Sequence, residues 1–267
     1  MQRSSAVDGQ FYPGRPDALR QTLSEFVPHV AAPQSAIGVM VPHAGYIYSG
    51  AIAGETYGRV RIPDRIVVIG PNHRGVGHSA AVFPSGSWST PLGEALVAGD
   101  VAQRLLVDCP GLSADTAAHR FEHSLEVQVP FLQYLNPHAA IVPICLGHLS
   151  LVDLLAMGKA LGGSLARLGQ EVLLVASSDM THYESAEAAR SKDRLALDRV
   201  LALDPEGLYR TVCEKRISMC GFMPTVLMLA AAMELGATTA SLVRYGNSGD
   251  VTGDLSEVVG YAGVVVA

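Results

Sequence analysis

The sequence predicts an α/β protein: a single layered domain over residues 1–267, with a central mixed or mostly parallel sheet flanked by helices. Three observations carry this expectation. Short apolar, β-branched runs recur along the chain, each followed by a turn and then a helical pattern. The runs are continuously apolar and do not alternate, as befits strands covered on both faces. No linker, charge block or repeat with a period of roughly 20–50 residues interrupts them.

The first run, Ile37-Gly38-Val39-Met40-Val41, predicts a strand, and strands follow at 65–69, 140–144, 171–175, 240–244 and 260–266. Helical patterns fall at 14–28, 50–59, 98–108, 123–135, 150–168, 184–203, 205–214 and 221–235. The pattern around 186–202 keeps Leu195, Leu197 and Val200 among charged residues, an ordinary amphipathic surface helix. Pro224 is tolerated only in a first helical turn, which places the start of the last helix near Cys220.

Composition narrows the function classes. Hydrophobic residues make up 49% of the chain and charged residues 16%, ample apolar surface to offset the entropy of ordering. The net charge is −6 and no basic stripe exists, which argues against nucleic acid as a partner. The apolar stretch at 226–233 falls far short of the roughly 20 residues that span a bilayer. Met1-Gln2-Arg3-Ser4-Ser5 lacks the apolar core of a signal peptide, so a cytoplasmic location with no membrane partner is expected. The four cysteines (Cys109, Cys145, Cys213, Cys220) form no CxxC pair and no zinc-ribbon spacing.

Of nine histidines, three fall just past the carboxyl end of an expected strand: His43, His73 and His182. Ligands of open α/β sheets bind outside those ends, so loops far apart in sequence can converge there. A lone histidine in such a place is ordinarily structural; three in equivalent places argue for a shared cleft. Pro42-His43-Ala44-Gly45 sets small residues beside the imidazole, where a backbone can approach a ligand closely. Phe121-Glu122-His123-Ser124-Leu125-Glu126 places His123 at the expected start of a helix, where Glu122 either tunes the imidazole or simply favours the helix N-terminus. Cys220 beside a helix start would have its thiol shifted toward thiolate, the form that binds metal, with Gly221 leaving room beside the sulfur. Two histidines plus one anionic ligand is the arrangement of non-haem Fe(II) enzymes that activate dioxygen; a thiolate third ligand shifts preference toward zinc, copper(I) or thiolate-bound iron. Composition does not select the metal.

Six blocks in order resemble the Memo family, whose prokaryotic members include AmmeMemoRadiSam system protein B. They are Ala6 to Pro13 (AVDGQFYP), His43-Ala44-Gly45-Tyr46, Gly70-Pro71-Asn72-His73, Glu122-His123-Ser124-Leu125-Glu126, Ser177-Ser178-Asp179-Met180-Thr181-His182-Tyr183 and Cys220-Gly221. The family is similar in fold to the LigB-like class III extradiol dioxygenases. The resemblance implies a metal held by His43, His73 and Cys220, with Cys220 standing where those dioxygenases carry a glutamate. It implies His182 as the acid/base residue with Asp179 nearby, and His123 lining the pocket. Iron(II) is the implied metal, with copper or zinc as alternatives. The implied activity is a redox reaction of dioxygen with an unknown small substrate. A zinc hydrolase, or a non-catalytic metal- or peptide-binding scaffold, are the competing readings. An AMMECR-type protein and a radical S-adenosylmethionine enzyme are the implied partners.

Overall fold

The protein is described by a computed structural model covering residues 1–267. In chain order the strands are β1 (Gln2–Arg3), β2 (Gly38–Val41), β3 (Arg65–Pro71), β4 (Ala80–Val82), β5 (Ser87–Thr90), β6 (Gly93–Leu96), β7 (Ser113–Ala114), β8 (Ala140–Leu146), β9 (Leu173–Ser177), β10 (His182–Glu184), β11 (Ala240–Asn247) and β12 (Val258–Val266). The helices are α1 (Pro16–Phe26), α2 (Tyr46–Gly58), α3 (Gly99–Asp108), α4 (Val129–Leu135), α5 (Leu151–Ala166), α6 (Ala186–Leu201), α7 (Pro205–Lys215), α8 (Phe222–Glu234) and α9 (Gly249–Thr252). No helix is long and apolar enough to cross a membrane.

Nine strands form one mixed sheet in the order β10-β12-β2-β9-β3-β8-β4-β7, with β11 also paired to β12. Its centre, β2-β9-β3-β8, is parallel. β12 and β4 add to that centre antiparallel. β1, β5 and β6 make a separate three-stranded sheet. The expected sheet flanked by helices is therefore present, and its central strands read as apolar runs because both faces are covered. Val39, Val41, Ile66, Val68, Leu173 and Val175 face the core shared with α1, α2 and α4. Met40, Val67, Ile69, Leu174 and Ala176 face the opposite core, shared with α3, α5, α7 and α8. The alternation is the period-2 geometry of a strand.

Two expectations shift. The helix expected at 123–135 begins only at Val129, after a single 3₁₀ turn at Glu126–Gln128. The carbonyls of His119, Glu122 and Ser124 accept from the side chains of Arg3 and Ser177, so this stretch is satisfied by tertiary bonds and not by a helical ladder. His123 thus sits in an irregular stretch ahead of that turn. Conversely, α2 starts at Tyr46, with Gly45 at its N-cap, four residues earlier than expected. His182 lies in a short strand beside Val259 and not in an open loop. The strands with no sequence signal (β1, β4, β5, β6, β7, β10) have two to four residues each, too few to show a period.

α5 packs on α8 at close range. A Cβ at Gly158 would lie 2.5 Å from the Ala230 Cβ and 3.0 Å from the Leu227 carbonyl oxygen. Gly158→Ala gains helix propensity of about 1 kcal/mol, yet overpacking costs about 1–3 kcal/mol. We expect net destabilisation in urea unfolding, and a more stable variant would refute the close packing.

Candidate metal centre

The parallel order β2-β9-β3 brings together loops that are distant in sequence. Val41 is registered beside Ser177 and Ile69 beside Ala176, so the residues after these strands emerge side by side. His43 follows β2, His73 follows β3, and Ser177-Ser178-Asp179 closes β9. One ring nitrogen from each of His43, His73 and His123 lies within 4.8 Å of the other two. The His73 and His123 rings stack with centroids 4.8 Å apart, and His43 meets both edge-on at 5.3 and 5.5 Å.

Hydrogen bonds orient these rings. Gln128 Nε2 donates to the Pro42 carbonyl at 2.9 Å and to Ser177 Oγ at 2.8 Å, while its Oε1 accepts from the Tyr57 hydroxyl at 3.0 Å. Ser177 Oγ spends its only hydrogen on the Ser124 carbonyl at 2.6 Å. It must therefore accept from His43 Nδ1, 2.9 Å away, which leaves Nε2 of His43 unprotonated. Both ends of this chain are carbonyls, which only accept, so every proton in it has a fixed direction. Glu122 does the same for His73. Its Oε1 accepts from Nδ1 at 2.9 Å and from the Ser124 amide at 2.9 Å, and its Oε2 accepts from the His73 amide at 2.7 Å. The same Oε1 is 3.4 Å from Nδ1 of His123. A carboxylate or hydroxyl behind an imidazole is the usual outer support of a metal-binding histidine.

Electrostatics keep the His43 and His123 imidazoles neutral. Burial, with the His73 charge adding to it, pushes His43 down to about 3. Burial and the His43 charge push His123 down to about 4. Burial would raise Glu122, but the hydrogen bond and charge of His73 and the Ser124 amide outweigh it and hold the carboxyl at about 2. Metal ions bind neutral imidazole, so rings that refuse protons while a buried carboxylate stays charged suit a dication. The donor set fits a bound metal.

Cys220 also lies in the site. Its Sγ is 3.1 Å from His43 Nε2 and 3.7 Å from the Asp179 carbonyl oxygen. The helix-start argument for a ready thiolate fails, because burial, with Asp179 adding to it, pushes the thiol well above its ordinary value. A cation beside the sulfur would favour loss of that proton. Gly221 has a packing role of its own. A Cβ there would be 2.3 Å from the Ser177 carbonyl oxygen, so the glycine lets α8 press against the end of β9. Cys109 and Cys145 are buried and Cys213 is exposed, outside the site.

Asp179 is buried and anchors His43 through its backbone amide at 2.7 Å, with Oδ2 4.0 Å from Nε2. Burial pushes its carboxyl up. His182 stands apart from the cluster. Its Nδ1 donates to the Ser218 carbonyl at 2.9 Å, leaving Nε2 as the basic atom, and its charge acts on both His43 and Asp179. The structure thus brings His43, His73 and His123 together, sets Cys220 and Asp179 against His43, and keeps His182 apart, so His123, expected only to line the pocket, stands in the cluster. It adds Ser177 and Gln128, which sequence reasoning left without roles, and gives Glu122 the orienting role over its bland one. Three histidines and a thiol at the carboxyl ends of parallel strands define an α/β protein with a candidate metal centre.

Comparison with known proteins shows the family. The Memo-like protein family matches residues 3–265, and this chain belongs to that family. It is 38% identical to MEMO1 family protein MK0963 of Methanopyrus kandleri, with 99% of each chain covered. It is 40% identical to MEMO1 family protein Mbar_A1422 of Methanosarcina barkeri, again with 99% of each covered, and 41% identical to a MEMO1 family protein of Aquifex aeolicus over 98% of each. Among solved structures it is similar in fold to uncharacterized protein JW3007 from Escherichia coli K12. That match has a TM-score of 0.54 at 15% identity, covering 86% of this chain and 99% of that one.

The neutral rings predict an acid limb. His43, His119 and His123 all titrate below their ordinary value, at about 3, 4 and 4, with burial the leading cause in each. Between about pH 6.5 and 4 the unfolded chain binds protons that the fold refuses, so the metal-free protein loses stability as pH falls. Each histidine contributes about 1.4 kcal/mol per pH unit in that window. Asp179 and Asp193, pushed up by burial, act with the opposite sign. His43→Asn should flatten the slope of urea stability against pH by about one proton; an unchanged slope would show that the ring is not held neutral.

Proposed function

We propose that this protein is a mononuclear metal enzyme, with iron(II) as its metal, that carries out a redox reaction of dioxygen with a small substrate. The observation that supports it most is the convergence of His43, His73 and His123 within 4.8 Å, with His43 and His73 locked behind by Ser177 and Glu122. When bound, iron supplies Lewis acidity and a site for dioxygen. His43 and His73 would hold it through Nε2, with Cys220 as the anionic ligand beside His43 and His123 either completing the donor set or facing substrate. His182 holds or moves a proton at Nε2, which its bond to the Ser218 carbonyl leaves free. Asp179 keeps the His43 backbone in place. The likeness to LigB-like dioxygenases belongs to this reading, as do an AMMECR-type and a radical S-adenosylmethionine partner.

A zinc hydrolase is the second reading, favoured by one feature: three converging imidazoles are also a donor set of catalytic zinc. Metal quantification after anaerobic purification separates them. Iron with substrate-dependent dioxygen uptake supports the first, stoichiometric zinc supports the second, and a metal-free protein that takes up neither ion leaves the site as a scaffold.

Cys220→Ser is expected to weaken metal binding by at least about tenfold. Cys145→Ser, whose sulfur lies in the core 3.8 Å from the Pro71 and Ala118 carbonyls, should leave affinity unchanged. Equal metal content in the two variants would defeat the ligand role. His182→Ala should keep the metal and lose turnover by about 10²-fold or more. Undiminished turnover would remove His182 from proton transfer.

A further inference from the structure

The segment carrying Glu122 and His123 has little regular structure of its own, and what holds it comes from the other end of the chain. Arg3 is buried, and its guanidinium donates to three partners on that segment. Nε reaches the His119 carbonyl at 2.6 Å, one terminal nitrogen the Glu122 carbonyl at 2.7 Å, and the other the Glu126 carboxylate at 2.7 Å. One face of the fork lies 4.1 Å from the centre of the Trp88 ring, the residue registered opposite Arg3 in the small sheet. Glu126 in turn accepts from the backbone amides of Ala6 and Val7 at 2.8 and 3.1 Å and from the Tyr12 hydroxyl at 2.7 Å.

The strap so formed reaches the donor set at two more points. The Phe11 ring packs on His123 with centroids 4.8 Å apart. The Phe11 carbonyl accepts from the Tyr46 amide at 2.7 Å, at the start of the helix that follows His43. Residues 3–12 therefore touch the His123 segment and the His43 loop together.

We infer that Arg3 and Glu126 are positioning residues of the metal centre: their buried pair sets where Glu122 and His123 stand and so sets metal affinity. This rests on the metal-site reading above. A planar fork that engages two carbonyls and a carboxylate at once fixes the segment in translation and rotation, which a point charge does not. Supports of this kind change affinity by about 10–100-fold when lost, without supplying a ligand.

The test uses Co(II) as the probe, whose visible spectrum reports its ligand geometry, with urea stability of the metal-free protein measured in parallel. The double variant Arg3→Met with Glu126→Gln removes both charges together, so neither is stranded in the interior. We expect it to bind Co(II) about tenfold or more weakly with an altered spectrum, and Arg3→Lys to recover only part of the affinity. Phe11→Ala, which leaves the ion pair intact, should weaken binding a few-fold and serves if the double variant does not fold. Wild-type affinity and spectrum in the folded double variant, or in Phe11→Ala if that alone folds, overturns the positioning role. Wild-type protein that binds no Co(II) overturns the metal reading itself, and the positioning role with it.

Discussion

The parallel register of three strands governs this molecule. Because β9 lies between β2 and β3, with Val41 beside Ser177 and Ile69 beside Ala176, three loops leave the sheet within a few ångströms of one another. The chain enters β9 more than a hundred residues after β3, yet the side chains it contributes fit between histidines already placed. Ser177 is where this matters most. It is the last residue of β9, and its hydroxyl is at once the support of His43 and a link to the segment that carries His123. A slip of one residue would turn that hydroxyl to the other face of the sheet.

The electrostatic design follows from burial. Imidazoles in a low-dielectric cleft avoid protonation, and a carboxylate there persists only when several donors surround it. Glu122 has those donors: two amides and an imidazole N–H. The cleft thus presents lone pairs in front and negative charge behind. Cys220 adds a thiol that burial, with Asp179 adding to it, holds well above its ordinary value.

Much of this was legible in the sequence. The six apolar runs, the helices between them and the glycine-flanked histidines announce a sheet with a site at its carboxyl ends, and the family resemblance names His43 and His73 of the cluster while placing His123 only in the pocket lining. What stayed hidden depends on contacts without periodicity. The partner of Glu122 was invisible because a carboxylate beside His123 gives no hint that it grips His73, 49 residues away. The loss of helix at 123–128 was invisible because Arg3 lies 119 residues from the Glu122 carbonyl it satisfies. Cys220 misled in one respect: the helix start was placed correctly, but desolvation outweighs the helix dipole at the sulfur.

The two hydrophobic layers on opposite faces of the sheet have a consequence for assembly. Cys220 lies between Met219 and Met223, which belong to one layer, whereas His123 leads into Leu125 and Val127, which belong to the other. A chain with only one layer consolidated holds an incomplete set of donors. The complete cluster is therefore a property of the finished fold, because neither layer alone brings its side chains together.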